Sequence, residues 1–311
     1  MQFYDIIGDI HGYATVLEKL LKKLGYKKKG GTYHHRSRQA IFVGDIIDRG
    51  SQIREALHIV KRMVVEGSAL MVLGNHEFNA IGWHSKWINP GEYLRPHTPG
   101  NRKQHAHTLR AFSGRQKEWK EFFDWFHTLP LSLDLGGIRV VHAAWNDFAH
   151  KFAGAVPLGN YKVPAAFFLI SSPDGDPNMS TGWHYELLCK GYEAKLPKGY
   201  YFFDHEGKRR THLRTRWWLS SKGRTYADLA FDPSLKVPSK RVQDLILPKK
   251  DYKSGPPVFF GHYAADPSQL IITPKIACLD YGIYKKHPLH AYRWDGEKEL
   301  SADKIVKMPH K

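Results

Sequence analysis

The sequence predicts an α/β fold with a layered core, and three observations carry that prediction. Short apolar runs alternate with amphipathic helical stretches through the first half of the chain. Each apolar run closes on a glycine or a polar side chain. At 311 residues the chain is long enough to bury a full core as one domain, residues 1–311, with an insertion.

Phe3-Tyr4-Asp5-Ile6-Ile7 reads as the first strand. Residues 13–24 set Val16, Leu17, Leu20, Leu21 and Leu24 on one helical face, and Gly25 stops the helix. Ala40-Ile41-Phe42-Val43 is the second strand. Residues 52–66 carry Ile53, Ala56, Leu57, Val60, Met63 and Val64, with Ser51 the expected N-cap and Gly67 the stop. Ala69–Leu73 is the third strand. Residues 83–106 break the pattern, because Pro90, Pro96, Pro99 and Gly100 interrupt few periodic apolars; they read as a long loop rimming the site. The helix 114–127 packs Trp119, Phe122, Phe123 and Phe126. Ile138–Val141 and Val258–Phe260 are the later strands. Residues 146–254 between them, including Pro-Asp-Gly-Asp-Pro at 173–177, read as an insertion or cap. Within it Leu213, Thr215 and Trp217 alternate against Arg214, Arg216 and Trp218, a strand with one basic face. The tail, 303–311, is expected to fray.

Polar clusters follow five of the strands: Gly8-Asp9-Ile10-His11-Gly12, Gly44-Asp45-Ile46-Ile47-Asp48-Arg49-Gly50, Gly74-Asn75-His76-Glu77, Val141-His142-Ala143 and Gly261-His262. Side chains at the carboxyl ends of neighbouring strands converge in α/β sheets. Any one cluster alone reads as a turn or a helix cap, and a lone histidine beside a strand is more often a satisfied core residue. Together, Asp9, His11, Asp45, Asn75, His142 and His262 form a ligand set for two cations sharing one carboxylate. Mixed nitrogen and oxygen ligands suit Mn, Fe or Zn better than Ca or Mg. Two such ions, roughly 3.5–4 Å apart, clamp an in-line displacement at phosphorus and acidify the attacking water. His76 is then the candidate proton donor, oriented by Asp48. Arg49 offers a planar fork for phosphate oxygens. Asn75, Arg214 and Arg216 are further candidate phosphate contacts.

These motifs resemble the phosphoprotein-phosphatase branch of the calcineurin-like metallophosphoesterases. The branch pattern is Asp-x-His-Gly, Gly-Asp-x-x-Asp-Arg-Gly, Gly-Asn-His-Glu and two later histidines; the first three motifs match in full. The resemblance covers roughly residues 3–145 well and 255–285 more thinly, in the manner of bacterial or phage members, symmetric diadenosine tetraphosphatases among them. It implies a layered β-sandwich of two mixed sheets flanked by helices, with a cap-like insertion. It also implies that Asp9, His11 and Asp45 hold one metal and that Asp45, Asn75, His142 and His262 hold the other. In the same scheme His76 is the proton donor, paired with Asp48, and Arg49 binds phosphate. Two departures stand out. Ala143-Ala144 replaces the usual Gly-Gly after the first late histidine, and Tyr263-Ala264 follows His262.

The net charge of +17 favours anionic, phosphorylated partners and excludes little else. Nucleic acid is a possible partner but not the favoured one, because much of the charge is dispersed lysine. No apolar run reaches membrane-spanning length and no leader is visible, so a cytoplasmic protein is expected. Two cysteines form no disulfide framework. The expected activity is phosphoester hydrolysis by direct attack of metal-activated hydroxide. Manganese is the first expectation for the two divalent ions, with Fe, Zn, Ni or Co as alternatives. The expected substrate is a phosphoprotein or small phosphomonoester first, a dinucleoside polyphosphate second, and a nucleic-acid end phosphate third.

Overall fold

The structure is a computed structural model that describes residues 2–87, 89, 91–155, 181–203, 207–243, 246–266, 269 and 271–310. The chain begins β1 (Phe3–Ile7), α1 (Ala14–Lys23), β2 (Lys27–Lys29), β3 (Thr32–His34), β4 (Arg38–Phe42), α2 (Ile53–Val65), β5 (Ala69–Met71) and α3 (Asn75–His84). It continues α4 (Pro99–Ala111), α5 (Gln116–Phe126), β6 (Ser132–Asp134), β7 (Arg139–Val141), α6 (Asp147–Ala155) and α7 (Thr181–Lys190). Then come β8 (Glu193–Lys195), β9 (Phe202–Phe203), β10 (Arg209–Arg210), β11 (His212–Arg214), α8 (Tyr226–Leu229), β12 (Val258–Phe260), β13 (Ile276–Cys278), β14 (Leu289–Trp294) and β15 (Ile305–Met308).

The chain divides into two compact units, Met1–Cys189 with Pro256–Lys311, and Lys190–Gly255. In the first unit, a five-stranded sheet has the order β15-β14-β1-β4-β5 and a four-stranded sheet the order β13-β12-β7-β6. Both are mixed: β1 runs parallel to β4 and antiparallel to β14, while β12 runs parallel to β7, which pairs antiparallel with β6. Ile6, Ile41, Val43 and Val72 from one sheet meet Ile138, Val140, Phe259 and Ala277 from the other in one buried cluster. This is the expected sandwich. The apolar faces read from the sequence supply its helical layers. Val16, Leu17, Leu20, Leu21 and Leu24 are buried along α1, and Ile53, Ala56, Leu57, Val60 and Met63 along α2. Asp5 is an acid in this core, held by Arg38 at 2.9 Å and Arg293 at 3.2 Å.

Several expectations need correction. Ser51 does not cap α2; Gln52 holds that position without a side-chain cap and bonds to Thr15 instead. The stretch 83–106 is not a plain loop, because α3 runs to His84 and Pro99 opens α4, with Thr98 Oγ1 accepting from Asn101 N at 3.2 Å. In α5 the buried aromatics are Phe122, Trp125 and Phe126, while Trp119 and Phe123 are half-buried. The tail is not frayed through 308, since β15 pairs with β14 from Tyr292↔Ile305 to Leu289↔Met308.

The second unit lies inside the stretch expected as an insertion. It contains two small hairpin-like pairs, β11 with β8 and β10 with β9. The alternating basic strand is shorter than expected: β11 ends at Arg214, and Trp218 is buried beside Trp217 rather than exposed on the basic face. The 173–177 motif lies outside the described residues.

Candidate metal centre

Each cluster of candidate ligands sits just past the carboxyl end of a strand of the first unit. Asp9 follows β1, Asp45 follows β4, Asn75 follows β5, His142 follows β7 and His262 follows β12. Because β1, β4 and β5 are parallel to one another, as are β7 and β12, their ligands emerge at common ends.

The turns that follow are strained. Among the described non-glycine residues, His11, Asp45, Asp48, Arg49 and His262 all adopt positive φ, between 47° and 67°. Such conformations cost on the order of 1–3 kcal/mol each and persist only where the surroundings hold them. Glu77 is the main clamp. Fully buried, its carboxylate accepts from Asp45 N (2.9 Å), Ile46 N (2.8 Å), Ile47 N (3.2 Å) and Gly74 N (3.2 Å). Gly74 must be glycine, since a Cβ there would lie 2.3 Å from Asp45 N. α3 starts beside Asp45, and His76 N donates to Asp45 Oδ1 at 2.9 Å.

The ring tautomers follow from carbonyl partners. His142 Nδ1 donates to Val43 O (2.7 Å) and His11 Nδ1 donates to Ile47 O (3.0 Å). The other nitrogen of His142 then faces Asn75 Oδ1 at 3.0 Å and Asp45 Oδ1 at 3.3 Å. His11 Nε2 and His76 Nε2 both stand 3.8 Å from Asp45 Oδ2. Where His11 and His142 are neutral, their Nε2 lone pairs turn toward these oxygens, which is the arrangement of a cation's ligands rather than of a hydrogen-bonded set. Asp9 Oδ1 is buried with no hydrogen-bond partner among the described residues, while Asp9 Oδ2 accepts from His262 N at 3.1 Å. One donor atom each from His11, Asp45 and His76 lies within 4.8 Å of the others, and the same holds for Asp9, Asp45 and His142. Asp45 is common to both groups, as a bridging carboxylate must be. The first group holds His76 where the resemblance implies Asp9. The residues present therefore fit a pair of cations.

The electrostatics agree. Burial pushes the Asp9 carboxyl well above the usual carboxylate range, and Asp280 and Asp45 push it further. Burial opposes ionisation of Asp45, but His142 and His76 hold it well below its ordinary value. Burial, then His76, lowers His11 to about 4. Asp9, buried and crowded by carboxylates, is the acid that needs a cation beside it to stay ionised.

Beside this cluster lies a second constellation. His76 Nδ1 donates to Asp48 Oδ2 at 2.7 Å, and Asp48 is buried. Burial lowers the affinity of His76 for a proton, yet Asp45 and Asp48 outweigh it and raise the ring's pKa. Arg49 places its guanidinium 4.8 Å from the centre of the Tyr284 ring. Arg214 and Arg216 belong to the second unit, where Arg214 lies 3.9 Å from Glu193 and Arg216 N donates to Leu229 O.

Four contributors escaped the sequence reading. Glu77 stood in view inside Gly-Asn-His-Glu but carried no assigned role. Asp280 accepts from Ala264 N and Gly282 N and so shapes the turn after His262. His105 and Thr108 reach Asp48 from α4, inside and just past a stretch read as loop.

The calcineurin-like phosphoesterase family model matches residues 4–184. A bis(5'-nucleosyl)-tetraphosphatase PrpE (asymmetrical) from Oceanobacillus iheyensis is 51% identical over 73 residues, 23% of this chain and 29% of the relative. The protein of the same name from Bacillus velezensis is 42% identical over 191 residues, 56% of this chain and 69% of the relative. The chain thus spans less than a third of the first relative's length and about two thirds of the second's. A cold-active protein-tyrosine phosphatase of a psychrophilic Shewanella superposes over 99% of this chain and 80% of that chain at 15% identity, with a TM-score of 0.49, too distant to carry weight.

Proposed function

The chain belongs to the calcineurin-like phosphoesterase family, and on that premise we propose that it is a two-cation phosphoester hydrolase acting on a bis(nucleosyl) tetraphosphate. One observation carries the reaction class: buried donor atoms of Asp9, His11, Asp45, His76 and His142 converge in two groups that share Asp45. The names of the relatives support the substrate class, which was the second of the substrates expected from the sequence.

When bound, two divalent cations, manganese by our choice, supply Lewis acidity toward phosphate oxygens and acidify water. Asp9, His11, Asp45, Asn75, His142 and His262 would hold them. His76 delivers a proton from Nε2 to the leaving oxygen, while Asp48 keeps its Nδ1 protonated and its ring oriented. Arg49 grips phosphate oxygens with its fork, its guanidinium seated over Tyr284. The net charge of +17 raises encounter rates with so anionic a substrate.

The test is product analysis after chelation and reloading with Mn. The substrates are diadenosine tetraphosphate, a phosphopeptide, p-nitrophenyl phosphate and a phosphorylated oligonucleotide. The proposal expects the tetraphosphate to give the highest kcat/KM. Turnover of the phosphopeptide with an inert tetraphosphate would replace the substrate class and leave the reaction class standing.

A further inference from the structure

Asp48 does not serve His76 alone. Its Oδ2 accepts from His76 Nδ1, and its Oδ1 accepts from His105 Nδ1 at 3.1 Å and from Thr108 Oγ1 at 2.5 Å. Thr108 Oγ1 in turn accepts from Asp48 N at 3.1 Å. His105 and Thr108 are three residues apart on α4 and therefore share a face. A third residue of the helix, His107, donates from Nδ1 to Gly50 O at 3.2 Å. α4 thus grips the turn that carries Asp48 and Arg49 in the left-handed region, with φ of 66° and 65°. His105 is 1% exposed, so its ring has no access to solvent as an alternative partner. The bond to Asp48 fixes the proton on Nδ1, which leaves Nε2 to accept from His84 Nε2 at 3.4 Å. The aromatic rings of Trp83 and Trp119 stand about His105, with centroids 6.0 and 6.1 Å away.

We propose that His105 is a positioning residue for the proton donor: with Thr108 it locks the Asp48 carboxylate so that Oδ2 meets His76 Nδ1 and the opposite nitrogen points at the reacting phosphate. Held on Oδ1 by Thr108 alone, the carboxylate can still pivot about χ2, which is a soft torsion. With His105 as a second donor to the same oxygen from the same helix, it cannot turn without breaking a buried hydrogen bond. The rotation matters only to proton delivery, so the effect belongs to kcat for leaving groups that need a proton.

The kinetic arm of this inference rests on the hydrolase reading above; the structural arm does not. The experiment compares wild type, His105→Leu and His105→Asn, each loaded with Zn, by two readouts. The first is kcat and KM on p-nitrophenyl phosphate and on an alkyl phosphate. The second is the long-range proton–nitrogen spectrum of the histidine rings, which reports the His76 Nδ1–H···Asp48 bond. His105→Leu is expected to lose at least about tenfold in kcat on the alkyl ester, to lose much less on the nitrophenyl ester and to leave KM within twofold. The His76 resonance should move in His105→Leu. His105→Asn keeps a side-chain donor near the same place and should restore both. Equal losses on both esters with an unmoved His76 resonance overturn the proposal. A moved resonance in a protein that hydrolyses no phosphoester sustains the positioning role and removes the hydrolase reading.

Discussion

At the scale of single residues, the site depends on a few side chains with separate duties. His76→Asn removes the proton donor but none of the six proposed ligands. It should bind metal as wild type does and lose about 10²–10⁴ in kcat on substrates with poor leaving groups; full activity on an alkyl phosphate would remove that role. Glu77 acts on the backbone instead. Glu77→Ala would orphan four buried N–H groups, each worth roughly 1–3 kcal/mol. A drop of several kcal/mol in denaturant-induced unfolding, together with weakened metal uptake, is the expected outcome. The residues that bear the motifs were legible because Asp, His and Asn each recur directly behind an apolar run. Glu77 was visible but mute, since a buried acid serving main-chain N–H groups has no signature of its own. His105 and Thr108 were illegible as partners of Asp48, because more than fifty positions separate them from it in the chain.

At the scale of elements, periodicity succeeded wherever an element packs on the core. The strands β1, β4, β5, β7 and β12 and the helices α1 and α2 bury continuous apolar faces, and burial is what periodicity encodes. The helix α4 failed that reading for a physical reason. Its inward face carries His105 and Thr108 toward the polar site, so it has no apolar stripe to betray it. β15 was missed because its four residues borrow their order from β14. Arg38 shows how elements are joined by charge: it donates to Asp5 on β1 and to Trp294 O on β14 from its place on β4. Arg38→Met should remove one of the two guanidinium partners that oppose the upward push of burial on the Asp5 carboxyl, leaving Arg293. The expected loss is about 3–5 kcal/mol in urea unfolding, and a loss under 1 kcal/mol would show that Arg293 suffices.

At the scale of the whole molecule, acid should act through buried neutral histidines. Burial lowers His290 from 6.5 to about 4, and His84 likewise falls to about 4 through burial and its neighbours His105 and His97. The unfolded chain then binds protons that the folded chain refuses. Their stabilising contribution is complete above pH 6.5 and is lost as pH falls toward 4, by up to about 1.4 kcal/mol per pH unit for each group. His290→Asn should flatten that acid limb in unfolding measured from pH 7 to 4. Among the described residues no helix is long and apolar enough to cross a membrane. The central claim is a pair of cations bridged by Asp45, and the most direct measurement counts metal per chain after dialysis against Mn while following turnover, in wild type and Asp45→Asn. The account predicts about two ions per wild-type chain, and loss of both ion binding and turnover in the variant. Fewer than two ions in active wild type, or an Asp45→Asn protein that keeps both its metal and its activity, would contradict it.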